Sequence, residues 1–476
     1  MATMQTSTPR DLCLATMLAT LAAAATGHRF GTGDQAIHLT FLRRILDPHS
    51  MEGDLVAAQG ERHASLFWQL QAPLVEVIGW ASLPTLYAVI WAISLVGTFF
   101  VALRLSRTLF GAGWIGPLML VTAKAAPGHV FTLSPELIPR SVALPLLLWA
   151  IDQGLRGRVI WAAAVAGLVF NVHATSAAHV ALGLGGLALV DPGLRRRVLL
   201  MGAAFLLAAL PVLRLAMAGD GLPLWIDEVW MHTLQWRMPH HLFPARWPPS
   251  VWVTAAWQLT LFTGALVATP SGLLRRRLAG LGLGFCVFAS GLGTLVAGPW
   301  PVAPLLALHL WQAWLFIALL GYLGLGAWVV ALWRRGWPKL AIGGLLLGLA
   351  APEATWMGID REGSWNVDWS DLAPLRDPEL GWVRQAPAEV ELWRRPAQGS
   401  PVYVAVKDGG ETLYSRQMAA DWRARLSTWC GRDPLAGSPT DWRGYLAVRD
   451  RVESTCSRLP ATQIVWQGLV NGEVAR

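Results

Sequence analysis

Apolar runs recur along the first 353 residues of the chain, and clusters of arginine occupy every second interval between them. A helix needs about 20 apolar residues to cross the hydrocarbon core of a bilayer. Only 14% of the 476 residues are charged, whereas ordinary soluble domains carry about 25% charged residues. The surplus apolar surface needs lipid, so the sequence predicts a mainly α, polytopic membrane protein.

Hydropathy predicts about eleven transmembrane helices within residues 1–353. The first follows Arg10 and resembles a signal peptide in length. A signal peptide would be followed by a secreted domain, whereas this helix is followed by further spans, so it is interpreted as an uncleaved helix. The predicted spans are approximately 12–26, 83–103, 112–127, 141–155, 159–174, 175–190, 198–218, 251–269, 278–297, 304–332 and 338–353.

The charge distribution orients these spans. Arginine and lysine are in excess in the cytoplasmic loops of membrane proteins, so the basic clusters place their loops and the N-terminus in the cytoplasm. The net charge of +8 is spread over these loops and forms no single basic patch, so we expect no nucleic-acid partner. The clusters are Arg104 with Arg107, Arg156 with Arg158, the arginines at 195–197 and 275–277, and Arg334 and Arg335 with Lys339.

Two regions outside the spans are expected to have structure of their own. In the first outer loop, residues 27–82, apolar residues recur every three or four positions over 34–46 and 64–80, which predicts two amphipathic helices on the outer membrane surface. The tail, residues 354–476, combines alternating stretches with a charged helix candidate, which predicts a small extracytoplasmic α+β domain. Cys430 and Cys456 would then lie in an oxidising compartment, which favours a disulfide between them.

Asp34 is the first candidate for chemistry. It follows the first predicted span and begins the first surface helix, near the plane of the lipid headgroups. A carboxylate there could act as a general base that takes the proton from an attacking acceptor hydroxyl. Asp is also a common N-cap residue, so the alternative is a structural cap for that helix.

Other ionisable residues near the outer boundary could bind substrate. His38 lies one helical turn after Asp34, and Asp54 is a second carboxylate of the same loop, although a solvated surface position is the preferred interpretation of both. Cations at this boundary could neutralise a departing phosphate or extend to lipid headgroups. The cationic candidates are Lys124, Arg140 and Arg214.

Histidines mark two further outer segments. His173, in the turn between the fifth and sixth spans, either lines a cavity or belongs to a simple polar turn. The loop at 219–250 has acids and histidines whose spacing matches no metal motif, so they are interpreted as solvated: Asp227, Glu228, His232, His240 and His241. No cofactor follows from the sequence, and a divalent metal has no motif to support it.

Five short segments match the layout of a known superfamily. They are GDQAIH at 33–38, LDPHSMEGDL at 46–55, SPELIPR at 134–140, FNVHATSA at 170–177 and WRARLSTWCG at 422–431. With the long first outer loop and its two surface helices, they resemble the GT-C superfamily of polyprenyl-phosphate-dependent glycosyltransferases, and within it an uncharacterised bacterial branch. The resemblance covers residues 1–353 as layout and matches the tail loosely.

The resemblance implies that Asp34 is the catalytic base of an inverting transfer. The sugar would pass from a polyprenyl-phosphate donor to a glycan, lipid or protein acceptor outside the cytoplasm, with Lys124 or Arg214 near the phosphate. Gln35 stands where the family often has an acid, and no acidic metal-binding pair is visible. The expected location is the bacterial inner (plasma) membrane, with the tail in the periplasm.

Three other functions fit parts of the same pattern. A glycan polymerase or ligase that uses a polyprenyl-diphosphate substrate would depend more on outer-loop arginines than on Asp34. A secondary transporter would place ionisable residues near the bilayer midplane, where the predicted spans have almost none. A non-catalytic component of an envelope-assembly machine would use the tail to bind partners.

Overall fold

The chain is mainly helical. The computed structural model describes residues 9–31, 34–60, 65–111, 113–218, 223–350, 404–405, 407–439 and 441–456. The earlier helices are α1 Pro9–Thr26, α2 Gln35–Leu46, α3 Phe67–Ile78, α4 Leu83–Phe110, α5 Ile115–Leu118, α6 Pro139–Leu155, α7 Val159–Phe170, α8 Ala174–Val190 and α9 Val198–Ala218.

The later helices are shorter on average and include the tail. They are α10 Glu228–Arg237, α11 Pro239–Leu242, α12 Pro249–Ala268, α13 Gly272–Leu283, α14 Ser290–Val296, α15 Ala303–Leu306, α16 Trp314–Arg334, α17 Pro338–Ala350, α18 Arg416–Cys430 and α19 Tyr445–Cys456. A π-helical stretch, Gly284–Ala289, joins α13 to α14. Short 3-10 helices lie at Ala57–Gln59, Trp80–Ser82, Arg195–Arg197, Pro244–Arg246, Leu310–Ala313 and Lys407–Leu413.

Among the residues that the structure describes, five helical segments are long and apolar enough to cross a membrane, and they indicate a membrane protein. Val159–Phe170, Ala174–Val190 and Pro338–Ala350 are also apolar but shorter. The five long segments are Trp80–Phe110, Arg195–Leu215, Pro249–Ala268, Gly272–Val296 and Ala303–Arg334.

The prediction of a helical span at 112–127 is wrong. Residues 113–127 contain only the four-residue α5 before turns lead to β1, Ala125–Ala126, which pairs antiparallel with β2, Val130–Phe131. Protein surrounds this irregular backbone: a Cβ on Gly326 of α16 would lie 2.3 Å from the Cα of Gly116. Non-helical backbone at membrane depth is tolerated where protein rather than lipid encloses it.

Helix α16 forms the centre of the bundle. Thirteen of its residues are buried, and it packs against α4, α5, α12 and α17. Elsewhere α8 and α13 approach until their backbones touch, since a Cβ on Gly186 would lie 2.4 Å from the carbonyl oxygen of Gly280. Small residues allow such close contacts between helices in membranes.

Three buried acids pair with arginines of the basic clusters. The carboxylate of Asp11 in α1 accepts hydrogen bonds from the two terminal guanidinium nitrogens, Nη1 and Nη2, of Arg107 in α4. Asp152 of α6 is fully buried and accepts a hydrogen bond from Arg156 Nε at 2.8 Å. Asp191, which follows α8, accepts a hydrogen bond from Arg277 Nε of α13 at 2.7 Å. Removing one partner of a buried pair leaves an uncompensated charge, so the Asp11–Arg107 and Asp191–Arg277 contacts fasten neighbouring helices, whereas Asp152 and Arg156 stabilise the end of α6 itself.

The two helices predicted within residues 34–46 and 64–80 are confirmed as α2 and α3. Helix α3 buries Phe67, Trp68 and Val75, while Leu70 and Val77 on its other side are exposed. A helix that is apolar on both sides needs protein against one side and lipid against the other.

The described part of the tail packs onto the segment 223–250. Leu413 and Ala419 share one apolar cluster with Trp230 and Leu234 of α10, and the disulfide Cys430–Cys456 joins α18 to α19. The tail residues that the structure describes are helical or irregular and include no strand. Much of the predicted α+β domain, residues 354–403 and 457–476, lies outside the described residues.

Candidate functional site

Asp34 lies at the start of α2 with an exposed side chain. Asp34 occupies the N-cap position of α2, and its carboxylate forms no capping hydrogen bond with the amides of that helix. The neighbouring Gln35 is fully buried, where its side chain accepts from Gly31 N at 2.8 Å and donates to Leu137 O at 3.0 Å. Gln35 therefore fixes the position of Asp34 against the loop that precedes α6.

Arg140 is the predicted cation that the structure brings to Asp34. Its half-buried guanidinium interacts electrostatically with the carboxylates of Asp34 and Glu136. The loop before it is held to the segment that follows α1 by the hydrogen bond from Arg29 N to Pro135 O, 2.9 Å. A cavity of about 20 Å³, which has room for about one water molecule, lies beside Arg140.

His38 and His173 belong to the same region. His38, one turn along α2, packs against the indole of Trp68 with ring centroids 5.4 Å apart. His173 interacts electrostatically with both Arg140 and His38. Its Nδ1 also accepts a hydrogen bond from Ser176 N at 3.2 Å, so His173 is the N-cap of α8.

Lys124 and Asp54 have other contacts. The buried Lys124 ammonium donates to Thr122 Oγ1 at 2.7 Å and to Gly348 O near the C-terminal end of α17, and it lies 4.6 Å from the Tyr322 ring centroid. Cations are stabilised at helix C-termini. Asp54 is buried, and its Oδ1 accepts hydrogen bonds from Val56 N at 2.9 Å and from Ala57 N at 3.1 Å. The interpretation of Asp54 as solvated is therefore wrong.

Arg214 has different surroundings from Arg140. It is exposed on α9, beside Leu210 and Leu215, which are exposed as well. An arginine on an apolar helix face of this kind extends towards headgroups. The structure therefore favours Arg140 over Lys124 and Arg214 as the cation nearest to Asp34.

Four histidines form a second cluster beside Asp34. The rings of His129, His240 and His241 lie within 6 Å of one another, at centroid distances of 5.1, 5.9 and 3.9 Å, and His309 lies 5.4 Å from His241. His240 is 8% exposed. The interpretation of this loop as solvated is therefore wrong for His240.

Two of these histidines have an unusual backbone. His129 and His309 adopt positive φ angles of 54° and 46°. Non-glycine residues in this left-handed region cost free energy and often occur at functional sites, and histidine is among the residues that tolerate it best. Sequence alone gave no indication of this conformation.

His241 is held neutral by its surroundings. Burial lowers its pKa well below the usual value, and the positive charge that His309 and His129 could acquire acts in the same direction. Its Nδ1 lies 2.7 Å from Gly128 O, which also accepts from Gln312 Nε2 at 3.3 Å. Neutral imidazole offers one donor and one acceptor, which suits uncharged hydroxyl groups.

The tail contributes residues to this region that sequence reasoning missed. Glu411, in the 3-10 helix Lys407–Leu413, is 6% exposed. His309 interacts electrostatically with both Asp34 and Glu411, and Tyr414 interacts with the same two carboxylates. Nothing in the sequence connects Glu411 with Asp34, because the tail folds back over a distant segment.

No protein-family model, curated protein or solved structure matches this chain.

The site therefore combines an exposed carboxylate, an arginine, a buried carboxylate and several histidines. Within the described ranges, no three histidine, cysteine or acidic side chains are arranged to hold a metal ion. The arrangement offers a base at Asp34, a cation at Arg140 and hydroxyl-binding groups at His309 and Glu411. Such a set suits transfer between a negatively charged leaving group and a hydroxyl acceptor.

Proposed function

We propose that the chain is a membrane glycosyltransferase that transfers a sugar, with inversion, from a polyprenyl-phosphate donor to an acceptor hydroxyl. The observation that carries this proposal is the proximity of the exposed Asp34 carboxylate to the Arg140 guanidinium. A general base and a phosphate-binding cation are the two groups that such a transfer needs most.

The chemistry follows from this pairing. Asp34 accepts the proton of the acceptor hydroxyl while the hydroxyl oxygen forms a bond to the anomeric carbon. The bond between that carbon and the phosphate oxygen breaks from the opposite side, so the configuration inverts. The departing polyprenyl phosphate carries the electron pair, and Arg140 neutralises its charge.

The small volume of the cavity beside Arg140 constrains the position of the carrier. About 20 Å³ admits a water molecule and no prenyl chain. The phosphate and the sugar are larger than this cavity as well, so we place them at the exposed side of Asp34, with the prenyl chain along the lipid-facing surface of the helices. This position agrees with a donor that diffuses in the bilayer.

The topology of the proposal keeps the N-terminus in the cytoplasm and the site outside it. The arginines paired with Asp11, Asp152 and Asp191 belong to the basic clusters that favour a cytoplasmic location. The disulfide Cys430–Cys456 suits an oxidising compartment for the tail. With residues 113–127 crossing as irregular backbone, about eleven crossings fit this arrangement in a bacterial inner membrane.

A secondary transporter is the second candidate. The irregular segment 113–127 is the observation that favours it, because interrupted helices at the bilayer midplane form the binding sites of many transporters. The glycosyltransferase is preferred because Asp34, Arg140 and His309 all lie outside that segment.

The experiment measures release of farnesyl phosphate, the product that all the supplied farnesyl-phosphate sugar donors have in common. Purified protein in nanodiscs is incubated with farnesyl-phosphate esters of several sugars and with envelope extract as the acceptor source. Asp34→Asn should abolish release, whereas Asp47→Asn, at the exposed far end of α2, should not change it. Full release by folded Asp34→Asn would disprove the base assignment, and sugar-ester uptake into proteoliposomes without release would support the transporter.

A further inference from the structure

The 3-10 helix Lys407–Leu413 of the tail packs against the beginning of α2. A Cβ on Gly410 would lie 4.0 Å from Ile37 Cδ1, three residues after Asp34, and 3.7 Å from Arg237 Nη2. Trp230 of α10 donates its indole N–H to Thr412 O at 2.7 Å. These contacts fix the backbone on both sides of Glu411.

Glu411 is directed into the protein at this point. It is 6% exposed, and Leu413, two residues on, shares an apolar cluster with Leu306 and Leu310 on either side of His309. His309 and Tyr414 each interact electrostatically with Asp34 and with Glu411. Both side chains therefore lie within electrostatic range of the two carboxylates.

His309 has a polar atom available for a ligand. It is 8% exposed, and across the described ranges no hydrogen-bond partner reaches its Nδ1. Its left-handed backbone is fixed by hydrogen bonds from His309 N to Leu306 O, 3.0 Å, and from Gln312 N to His309 O, 2.8 Å. A buried polar atom without a protein partner costs free energy unless another molecule satisfies it.

We propose that His309, Glu411 and Tyr414 form a subsite for the hydroxyl groups of the transferred sugar, so that the tail completes the site around Asp34. This inference rests on the proposed function. A carboxylate accepts hydrogen bonds from hydroxyl groups, a neutral imidazole accepts one and donates one, and a phenol does both. The three side chains thus cover both polarities that a sugar hydroxyl presents.

Charge separates this subsite from the phosphate position. A phosphate beside Asp34 and Glu411 would meet two negative carboxylates, which repel it. Arg140 is the cation that the structure brings to Asp34. The phosphate is therefore assigned to the side of Asp34 that faces Arg140, and the sugar to the side that faces Glu411.

The test separates sugar recognition from phosphoprenol recognition. The full chain in nanodiscs is titrated with farnesyl phosphate and with its esters of glucose, mannose, galactose and N-acetylglucosamine, and the Kd of each is measured. The ratio of the Kd for farnesyl phosphate to the Kd for the best ester reports the sugar contribution.

The variants are Glu411→Gln, which keeps the shape of the side chain, and His309→Asn, because asparagine tolerates a left-handed backbone. Glu52→Gln, an exposed carboxylate of the first outer loop, is the matched control.

We expect one ester to bind the wild-type protein at least about tenfold tighter than farnesyl phosphate, because hydrogen bonds to charged groups are strong. Both variants should reduce this ratio to about one, leave the Kd of farnesyl phosphate unchanged and keep the wild-type melting temperature. The control should keep the full ratio.

The remaining outcomes overturn one or both proposals. A wild-type ratio near one, or an unchanged ratio in folded Glu411→Gln and His309→Asn, removes the sugar subsite and leaves the proposed function standing. A ratio that falls in only one variant overturns the joint assignment. Failure of the wild-type protein to bind farnesyl phosphate and all its esters overturns the proposed function together with the subsite.

Discussion

Arg277 of α13 holds Asp191 after α8, with Nε and Oδ2 2.7 Å apart, and donates from Nη1 to Leu155 O of α6 at 2.7 Å. Burial alone would raise the pKa of Asp191, but the hydrogen bonds from Arg277 and from Gly193 N together lower it. One arginine thus connects three helices at the end of the bundle that carries the basic clusters.

Loss of this contact should destabilise the fold. We expect Asp191→Asn to lower the free energy of unfolding by about 3–5 kcal/mol, since it leaves the Arg277 charge without its buried partner. Unfolding by SDS titration measures the change. Asp441→Asn, which breaks the exposed contact with Arg443, should change stability by less than about 1 kcal/mol. Equal effects of the two variants would contradict this account.

Lys124 and Arg140 should differ in what their loss affects. Lys124→Met removes the cation at the end of α17 and should lower the melting temperature, because the Gly348 carbonyl loses a buried donor. Arg140→Gln should retain the fold and reduce farnesyl-phosphate release by at least about a hundredfold, the scale of one lost charge-stabilising donor. A stable Lys124→Met protein without transfer activity would return Lys124 to the phosphate-binding role.

Acidification should destabilise the protein through His241. Its folded-state pKa lies below that of the unfolded chain, so below about pH 6.5 the unfolded state binds more protons and stability falls as pH falls. The contribution is up to about 1.4 kcal/mol per pH unit. Melting curves from pH 7.5 to 5 should show a shallower decline for His241→Gln, while His49→Gln, on the surface, should match the wild type.

Adjacent glycines of the tail offer a matched pair of tests for its docking. A Cβ on Gly409 would lie 2.6 Å from the Trp422 indole and 2.9 Å from Arg237 Cδ, whereas a Cβ on Gly410 has ordinary contacts at 3.7 and 4.0 Å. Gly409→Ala should therefore loosen residues 407–430, and Gly410→Ala should not. Hydrogen exchange of the 3-10 helix Lys407–Leu413 distinguishes them, and equal protection in both variants would argue against a tightly fitted tail.

Sequence reasoning located the parts of the site that depend on local pattern. The periodicity of 34–46 predicted α2, and the position of Asp34 at its start followed directly. The position of Arg140 at a span boundary was enough to propose it as a phosphate-binding cation. Preferring it to Lys124 and Arg214 required knowledge of what each cation contacts. Hydropathy favoured Lys124 because it measures apolar surroundings and contains no information about the end of α17.

Two features depended on packing between distant segments. Residues 112–127 have the composition of a span, but the backbone of 113–127 is irregular and is enclosed by contact with α16. Glu411 belongs to a polar tail in which acids are common, so its burial beside His309 has no local signature. Left-handed backbone at His129 and His309 is likewise set by tertiary contacts rather than by residue type alone.

The irregular segment 113–127 also has a consequence for biogenesis. Its backbone forms turns and a strand pair instead of a continuous helix, so it cannot leave the insertion machinery as an independent helix. Its shelter comes from α16 and α17, which the ribosome makes roughly two hundred residues later. The strand pair that carries His129 therefore reaches its final position only after nearly the whole membrane domain has been synthesised, and truncated chains that end before α16 will be targets for quality-control proteases.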